Sequence, residues 1–116
     1  MTIQLPPLAA AYVQATNQQD AAAFLRLFDD NAVVNDAGRE FRGREAIKEW
    51  SESDIFAANV TLEVTAAKEE PQETVVTTKV DGTFDKTGLP DPLFIDQHLQ
   101  FRDGKIAALA CRLVTA

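Results

Sequence analysis

The chain has 116 residues, 46% of them hydrophobic and 25% charged, which is the size and balance of one globular domain with a core of its own and no room for a second. Eighteen acidic residues against eleven Lys and Arg give a formal net charge of −7, a field that repels phosphate backbones and anionic headgroups, so neither nucleic acid nor a membrane is expected as a partner. The single cysteine, Cys111, rules out an internal disulfide and leaves no partner for a thiolate metal site.

The N-terminal stretch Met1-Thr2-Ile3-Gln4-Leu5-Pro6-Pro7 lacks the basic start and apolar run of a signal peptide, and nothing approaches the roughly 20 apolar residues of a membrane span, so a cytoplasmic location is the expectation. Pro6 and Pro7 suit a first helical turn, where a missing N–H costs nothing, and Leu8, Tyr12 and Ala15 then share a face; a helix is predicted from about Pro6 to Thr16. Asp20 can cap a second helix, Ala21 to Phe28, whose apolar face carries Phe24, Leu25, Leu27 and Phe28. Asp29-Asp30-Asn31 ends it. Ala32 to Asp36 reads as a short strand, Gly38 as a loop, and Gly43 opens a third helix, Arg44 to about Asp54, with Ile47 and Trp50 inward.

From Asn59 the period changes to two, with Val60, Leu62 and Val64 on one face of a strand. Glu69 to Gln72 is turn chemistry, Thr74 to Phe84 a second strand, and Gly88-Leu89-Pro90-Asp91-Pro92 a stiff loop. Asp103-Gly104 joins Leu93–Arg102 to Lys105–Val114 in a tight hairpin. The expectation is therefore α+β: three N-terminal helices with one embedded strand, packed on one face of a curved sheet whose four later strands form an antiparallel meander.

The order α-α-β-α-β-β-β-β resembles the nuclear transport factor 2-like (NTF2-like) superfamily. So do four stretches in sequence: Tyr12-Val13 with Asn17 and Asp20; Leu27-Phe28-Asp29-Asp30-Asn31-Ala32-Val33-Val34-Asn35-Asp36; Phe41-Arg42-Gly43-Arg44-Glu45-Ala46-Ile47; and Phe101-Arg102-Asp103-Gly104-Lys105-Ile106. The resemblance covers nearly the whole chain and implies one cone-shaped domain over residues 1–116, of the kind found in ketosteroid isomerase and the SnoaL-type polyketide cyclases. It also implies a homodimer. In the isomerases a tyrosine and a protonated aspartate hold an enolate oxygen while a second aspartate moves a proton between carbons. By that likeness Tyr12 matches the tyrosine and Asp36 the base. The third position departs: alignment on His98 and Phe101 places Gln97 where the isomerases have the protonated aspartate, and a shift of one residue would place Asp96 there.

The residues themselves admit two readings each. Asp36, at the end of an apolar strand and near Trp50, is either a carboxylate that loses hydration in a pocket and so becomes a better proton acceptor, or a solvated turn residue. Tyr12 is either a donor to a ligand oxygen or a satisfied core phenol. Gln97, sharing a face with Ile95, Leu99 and Phe101, can donate to a carbonyl or hold the sheet to a helix end. Phe24, Phe28, Trp50, Leu99 and Phe101 are the expected apolar lining for a small hydrophobic ligand. His98 lies on the opposite strand face, and Cys111 reads as a small buried hydrophobe. One histidine and scattered carboxylates offer no metal pattern, and no phosphate-binding or dinucleotide motif appears, so no cofactor is expected. The functional expectation is cofactor-independent proton transfer α to a carbonyl, with a non-catalytic ligand-binding or structural dimer as the alternative.

Overall fold

A computed structural model describes residues 3–114. Helix α1 spans Pro7–Asn17, with Pro7 in the first turn and Ala9, Tyr12, Ala15 and Thr16 buried along one stripe. Asp20 caps α2, Ala21–Arg26, its side chain accepting from the Ala23 N–H at 3.0 Å. This helix is shorter than its apolar pattern predicts. The Leu27 carbonyl is taken by the Ile106 N–H at 2.7 Å, so sheet pairing captures the chain before Phe28 can join the helix.

Strand β1 then runs Phe28–Asp36 rather than starting at Ala32. It pairs parallel with the last strand, and the acidic stretch Asp29-Asp30-Asn31 forms an irregularity between the Phe28 and Val33 pairings. A two-residue turn of Ala37 (φ 54°) and Gly38 (φ 86°) leads into β2, Arg39–Arg42, where a loop was expected. Strand β2 is a short, charged edge, which is why it carries no hydrophobic alternation. Helix α3, Gly43–Trp50, passes into a wide π-helical segment, Ser51–Phe56. Continuous α-winding to Asp54 was expected; the change of winding carries Ser53, Asp54 and Ile55 to the wall of the cavity described below.

Strands β3 (Thr61–Glu69), β4 (Thr74–Asp81), β5 (Phe94–Arg102) and β6 (Lys105–Leu113) form the expected antiparallel meander. Strand β4 stops at Asp81 instead of Phe84. Gly82 lies so close to the preceding segment that an added Cβ would sit 2.7 Å from the Ala58 carbonyl, and the Thr83 N–H donates to that carbonyl at 2.7 Å. Among the described residues the sheet has six strands in the order β2-β1-β6-β5-β4-β3, antiparallel except at β1–β6. Asp103 (φ 52°) and Gly104 (φ 76°) make the tight turn between β5 and β6.

The helices cover one face of this sheet, and Phe24 lies at the centre of the core they enclose. Its ring centroid is 5.5 Å from that of Tyr12, 5.3 Å from Phe28, 5.3 Å edge-on from Phe56 and 6.3 Å from Trp50. Asn17, at the end of α1, acts as a bracket to the outer strand: its amide donates to the Leu62 carbonyl at 2.9 Å and accepts from the Leu62 N–H at 2.7 Å. That pairing occupies backbone groups of an edge strand that would otherwise be open.

Candidate functional site

Sheet register builds the site. Asp36 on β1 is opposite Cys111 on β6, Cys111 is opposite Gln97 on β5, and Gln97 is opposite Val76 on β4. On the other side of Asp36 stands Arg39 of β2. At about 4.8 Å between strands, the Asp36 and Gln97 backbones lie roughly 10 Å apart with the Cys111 thiol between them. This row borders a cavity of about 530 Å³, whose wall also includes Tyr12 and Thr16 of α1, Trp50 of α3, and Asp54 and Ile55 of the π-helical segment. Val80, Phe84, Leu89, Leu93, Ile95 and Leu113 are also part of the wall. Leu89 and Leu113 are 39% and 46% exposed, so the cavity opens between the β4–β5 connection and the end of β6.

Asp36 is held from one side. Its Oδ2 accepts from Trp50 Nε1 at 3.0 Å and from Arg39 Nη2 at 3.1 Å, whereas Oδ1 has no hydrogen-bond partner among the described residues. The side chain is 25% exposed. The carboxylate therefore does not meet apolar wall alone, as the sequence suggested; an indole N–H and a guanidinium replace part of the water it loses. The same Arg39 Nη2 also donates to Asp54 Oδ2. Burial works to raise the Asp54 carboxyl, but hydrogen bonds from Arg39 and Ser53 outweigh it and hold it below the usual range. Arg39 is in turn pushed up, chiefly by its hydrogen bond to Asp54.

The opposite end of the row is a buried, proton-ordered network. Tyr12 O–H donates to Gln97 Oε1 at 2.8 Å and the Cys111 thiol donates to the same oxygen at 3.3 Å. Gln97 Nε2 donates to Thr78 Oγ1 at 3.3 Å, and that hydroxyl donates to the Ile95 carbonyl at 2.8 Å. With two donors on one side and an acceptor on the other, the amide orientation is fixed by its neighbours. Burial, reinforced by Cys111 and Asp36, raises the Tyr12 phenol well above its ordinary value. Burial, with Asp36 contributing, does the same to the Cys111 thiol. Both are neutral donors at physiological pH.

Four of the residues singled out from the sequence, Asp36, Tyr12, Gln97 and Trp50, thus border one cavity. Four others do not. Phe24, Phe28 and Leu99 are at most 1% exposed and belong to the core, away from the cavity wall. Phe101 is 36% exposed, because a register shift between Gln100 and Phe101 takes it out of the inward alternation of β5. Between the two alternatives on that strand, Gln97 faces inward at 3% exposure, while Asp96 faces outward and accepts from Thr77 Oγ1 at 2.6 Å. His98 is on the outer face too, 3.0 Å from Glu73. Arg39 and Asp54 were not foreseen as site residues. The first lay in an unpredicted strand, and the second is turned to the wall by π-winding that has no simple sequence signal. Among the described residues no three His, Cys, Asp or Glu side chains converge as metal ligands.

The sequence pattern of the SnoaL-like domain matches residues 9–109. The chain belongs to the SnoaL-like family. Among solved structures it is similar to a candidate polyketide cyclase from Sinorhizobium meliloti, with 28% identity over 93% of this chain and 95% of that one, and a TM-score of 0.83. A candidate ketosteroid isomerase from Kribbella flavida shares the fold, with 15% identity over 95% of this chain and 77% of that one, at a TM-score of 0.77. So does the orange carotenoid protein of Anabaena (Nostoc) sp. PCC 7120 with bound canthaxanthin: 18% identity, all of this chain against 39% of that one, TM-score 0.79. No curated protein matches the sequence significantly. These likenesses establish the NTF2-like fold for this SnoaL-like chain, with its three helices on a mostly antiparallel six-stranded sheet. No helix among the described residues is long and apolar enough to cross a membrane.

Proposed function

We propose that the cavity takes up a small, largely apolar carbonyl compound and that Asp36 moves a proton at the carbon next to the carbonyl. The observation that carries this reading is the one-sided anchoring of Asp36: Trp50 and Arg39 fix Oδ2, leaving Oδ1 open to accept a proton. A general base needs such an oriented, unengaged lone pair within reach of the substrate. Tyr12 and Gln97 supply the polar end that steadies the developing enolate oxygen. The Tyr12 O–H donates to Gln97 Oε1. When a ligand oxygen draws that proton away, the Cys111 thiol still donates to Oε1, so the amide carbonyl is not left bare. Gln97 turns Oε1 to this side and Nε2 to Thr78 and cannot donate a proton as an acid, so it acts on the enolate through Tyr12, by hydrogen bonds alone. Removal of an α-proton is also the first step of an aldol-type ring closure, which agrees with the likeness to a candidate polyketide cyclase.

A second reading, a ligand binder without turnover, is favoured by one feature: the polar end is already satisfied internally, with Tyr12, Cys111, Gln97 and Thr78 all paired. A panel of apolar ketones separates the two, measured by thermal shift and by product analysis on wild type and Asp36→Asn. Stabilisation with turnover that the variant loses supports the base. Stabilisation of both proteins without turnover supports the binder, and full turnover by Asp36→Asn removes Asp36 from the chemistry.

The outer face of the sheet, where partly buried Val33, Val75, Ala108 and Ala110 surround His98, is proposed as a homodimer contact. Light scattering tests it: a monomer at micromolar concentration would refute the assignment. The cytoplasmic location stays part of the same proposal.

A further inference from the structure

The cavity wall carries three charges: Asp36, Asp54 and Arg39. Tyr12 and Cys111 are neutral there, since burial raises both. One guanidinium therefore stands between two carboxylates, donating to both through Nη2, and the wall is left with an excess negative charge in a chain that is itself at −7. Arg39 is not short of donors. Its Nε and Nη1 have no hydrogen-bond partner among the described residues, and the side chain, which lines the cavity, is 56% exposed. Charge, not hydrogen-bonding capacity, is what stands against an anion.

We propose that Asp54 is the residue that sets the charge specificity of this cavity. By sharing Arg39 with Asp36 it keeps the guanidinium from receiving a ligand carboxylate or phosphate, so that the cavity accepts uncharged and cationic molecules and excludes acids. This rests on the cavity being a ligand site, as proposed above. Asp36 alone would neutralise Arg39 and leave a polar but uncharged wall; the second carboxylate, brought in by the π-helical segment, turns exclusion of anions into a property of the site. Asp54 needs no contact with the reacting carbon to do this.

The test uses three probes of one shape, benzyl alcohol, benzylammonium and benzoate, titrated into wild type and Asp54→Asn by thermal shift and calorimetry. Wild type is expected to bind benzyl alcohol and benzylammonium ahead of benzoate. Asp54→Asn is expected to raise the benzoate-to-benzyl alcohol affinity ratio roughly tenfold, the scale of one partly screened charge at close range. Adding Arg39→Gln to that variant is expected to abolish the gain. Equal binding of benzoate and benzyl alcohol by wild type, or an unchanged ratio in Asp54→Asn, overturns the assignment. Failure of all three probes to bind wild type overturns it together with the ligand-site reading, whereas uncharged binding without discrimination overturns the charge assignment alone.

Discussion

Two neighbouring rows of the same sheet have opposite characters. Val34, Leu109 and Leu99 stand side by side across β1, β6 and β5, all at most 1% exposed. Two residues along each strand toward the open end, the same three strands present Asp36, Cys111 and Gln97. The first row packs under the Phe24 aromatic cluster as closed core; the second borders a cavity. One pleat repeat, roughly 7 Å, separates closed core from cavity wall. Backbone pairing is shared by the two rows, so what distinguishes them is side-chain chemistry: dispersion and burial on one side, a hydrogen-bonded and charged set on the other.

If that contrast is right, truncation should hurt most in the closed region. Phe24→Ala is expected to lower stability by about 3–5 kcal/mol in urea unfolding, since the ring contacts four aromatic neighbours and its removal opens a cavity among rigid elements. A loss below about 1 kcal/mol would mean that the cluster is not the core. In the polar row the next largest effect is expected from Gln97→Leu. It leaves the Tyr12 hydroxyl, the Cys111 thiol and Thr78 without their amide partner, at a cost of about 1–3 kcal/mol, and Tyr12→Phe in that background should recover part of it.

The polar row also marks the alkaline limb of stability. Tyr12 and Cys111 both have raised values in the folded protein. Above about pH 9 to 10 the unfolded chain releases these protons while the folded chain keeps them, so the unfolded state binds fewer protons and stability falls as pH rises. Below that window the two groups contribute no pH dependence. Tyr12→Phe should flatten the limb and leave the Cys111 contribution; identical limbs in both proteins would show that the phenol is not buried as described. The smallest effect lies on the acid side. Asp54 is held low in the folded state by Arg39 and Ser53, against the opposing effect of burial. Its contribution is present above the unfolded value and lost as pH falls through the folded one. At 29% exposure that contribution is expected to stay below about 1 kcal/mol, and Asp54→Asn should remove it from the acid unfolding curve.

The contrast also explains what the sequence made legible. The period-two patterns of β3 to β6 and the Asp103-Gly104 turn are local signals, and the meander followed from them. Alternation with Ile95 and Leu99 pointed Gln97 inward but left Asp96 as the alternative, because a one-residue change of register reverses every side chain on the strand. Phe24 and Phe28 were visible as apolar but not as core rather than lining, because a sequence pattern reports which face is buried and not whether a cavity lies beyond it. Strand β2 was hidden by its exposed, charged edge, and with it went Arg39. The parallel β1–β6 pairing, which puts Asp36 beside Cys111, joins residues far apart in the chain and leaves no local trace. Nor does π-winding, and so Asp54 passed unnoticed.

The most direct test of the account is solvent deuterium wash-in at the α-carbon of an apolar ketone that the thermal-shift panel shows to bind, followed by NMR in D2O for wild type and Asp36→Asn. The account predicts wild-type exchange faster than buffer and a loss of about 10²–10⁴-fold in the variant, the usual contribution of a positioned general base, with the ketone still bound. Equal exchange rates in the two proteins, with binding demonstrated in both, would contradict it.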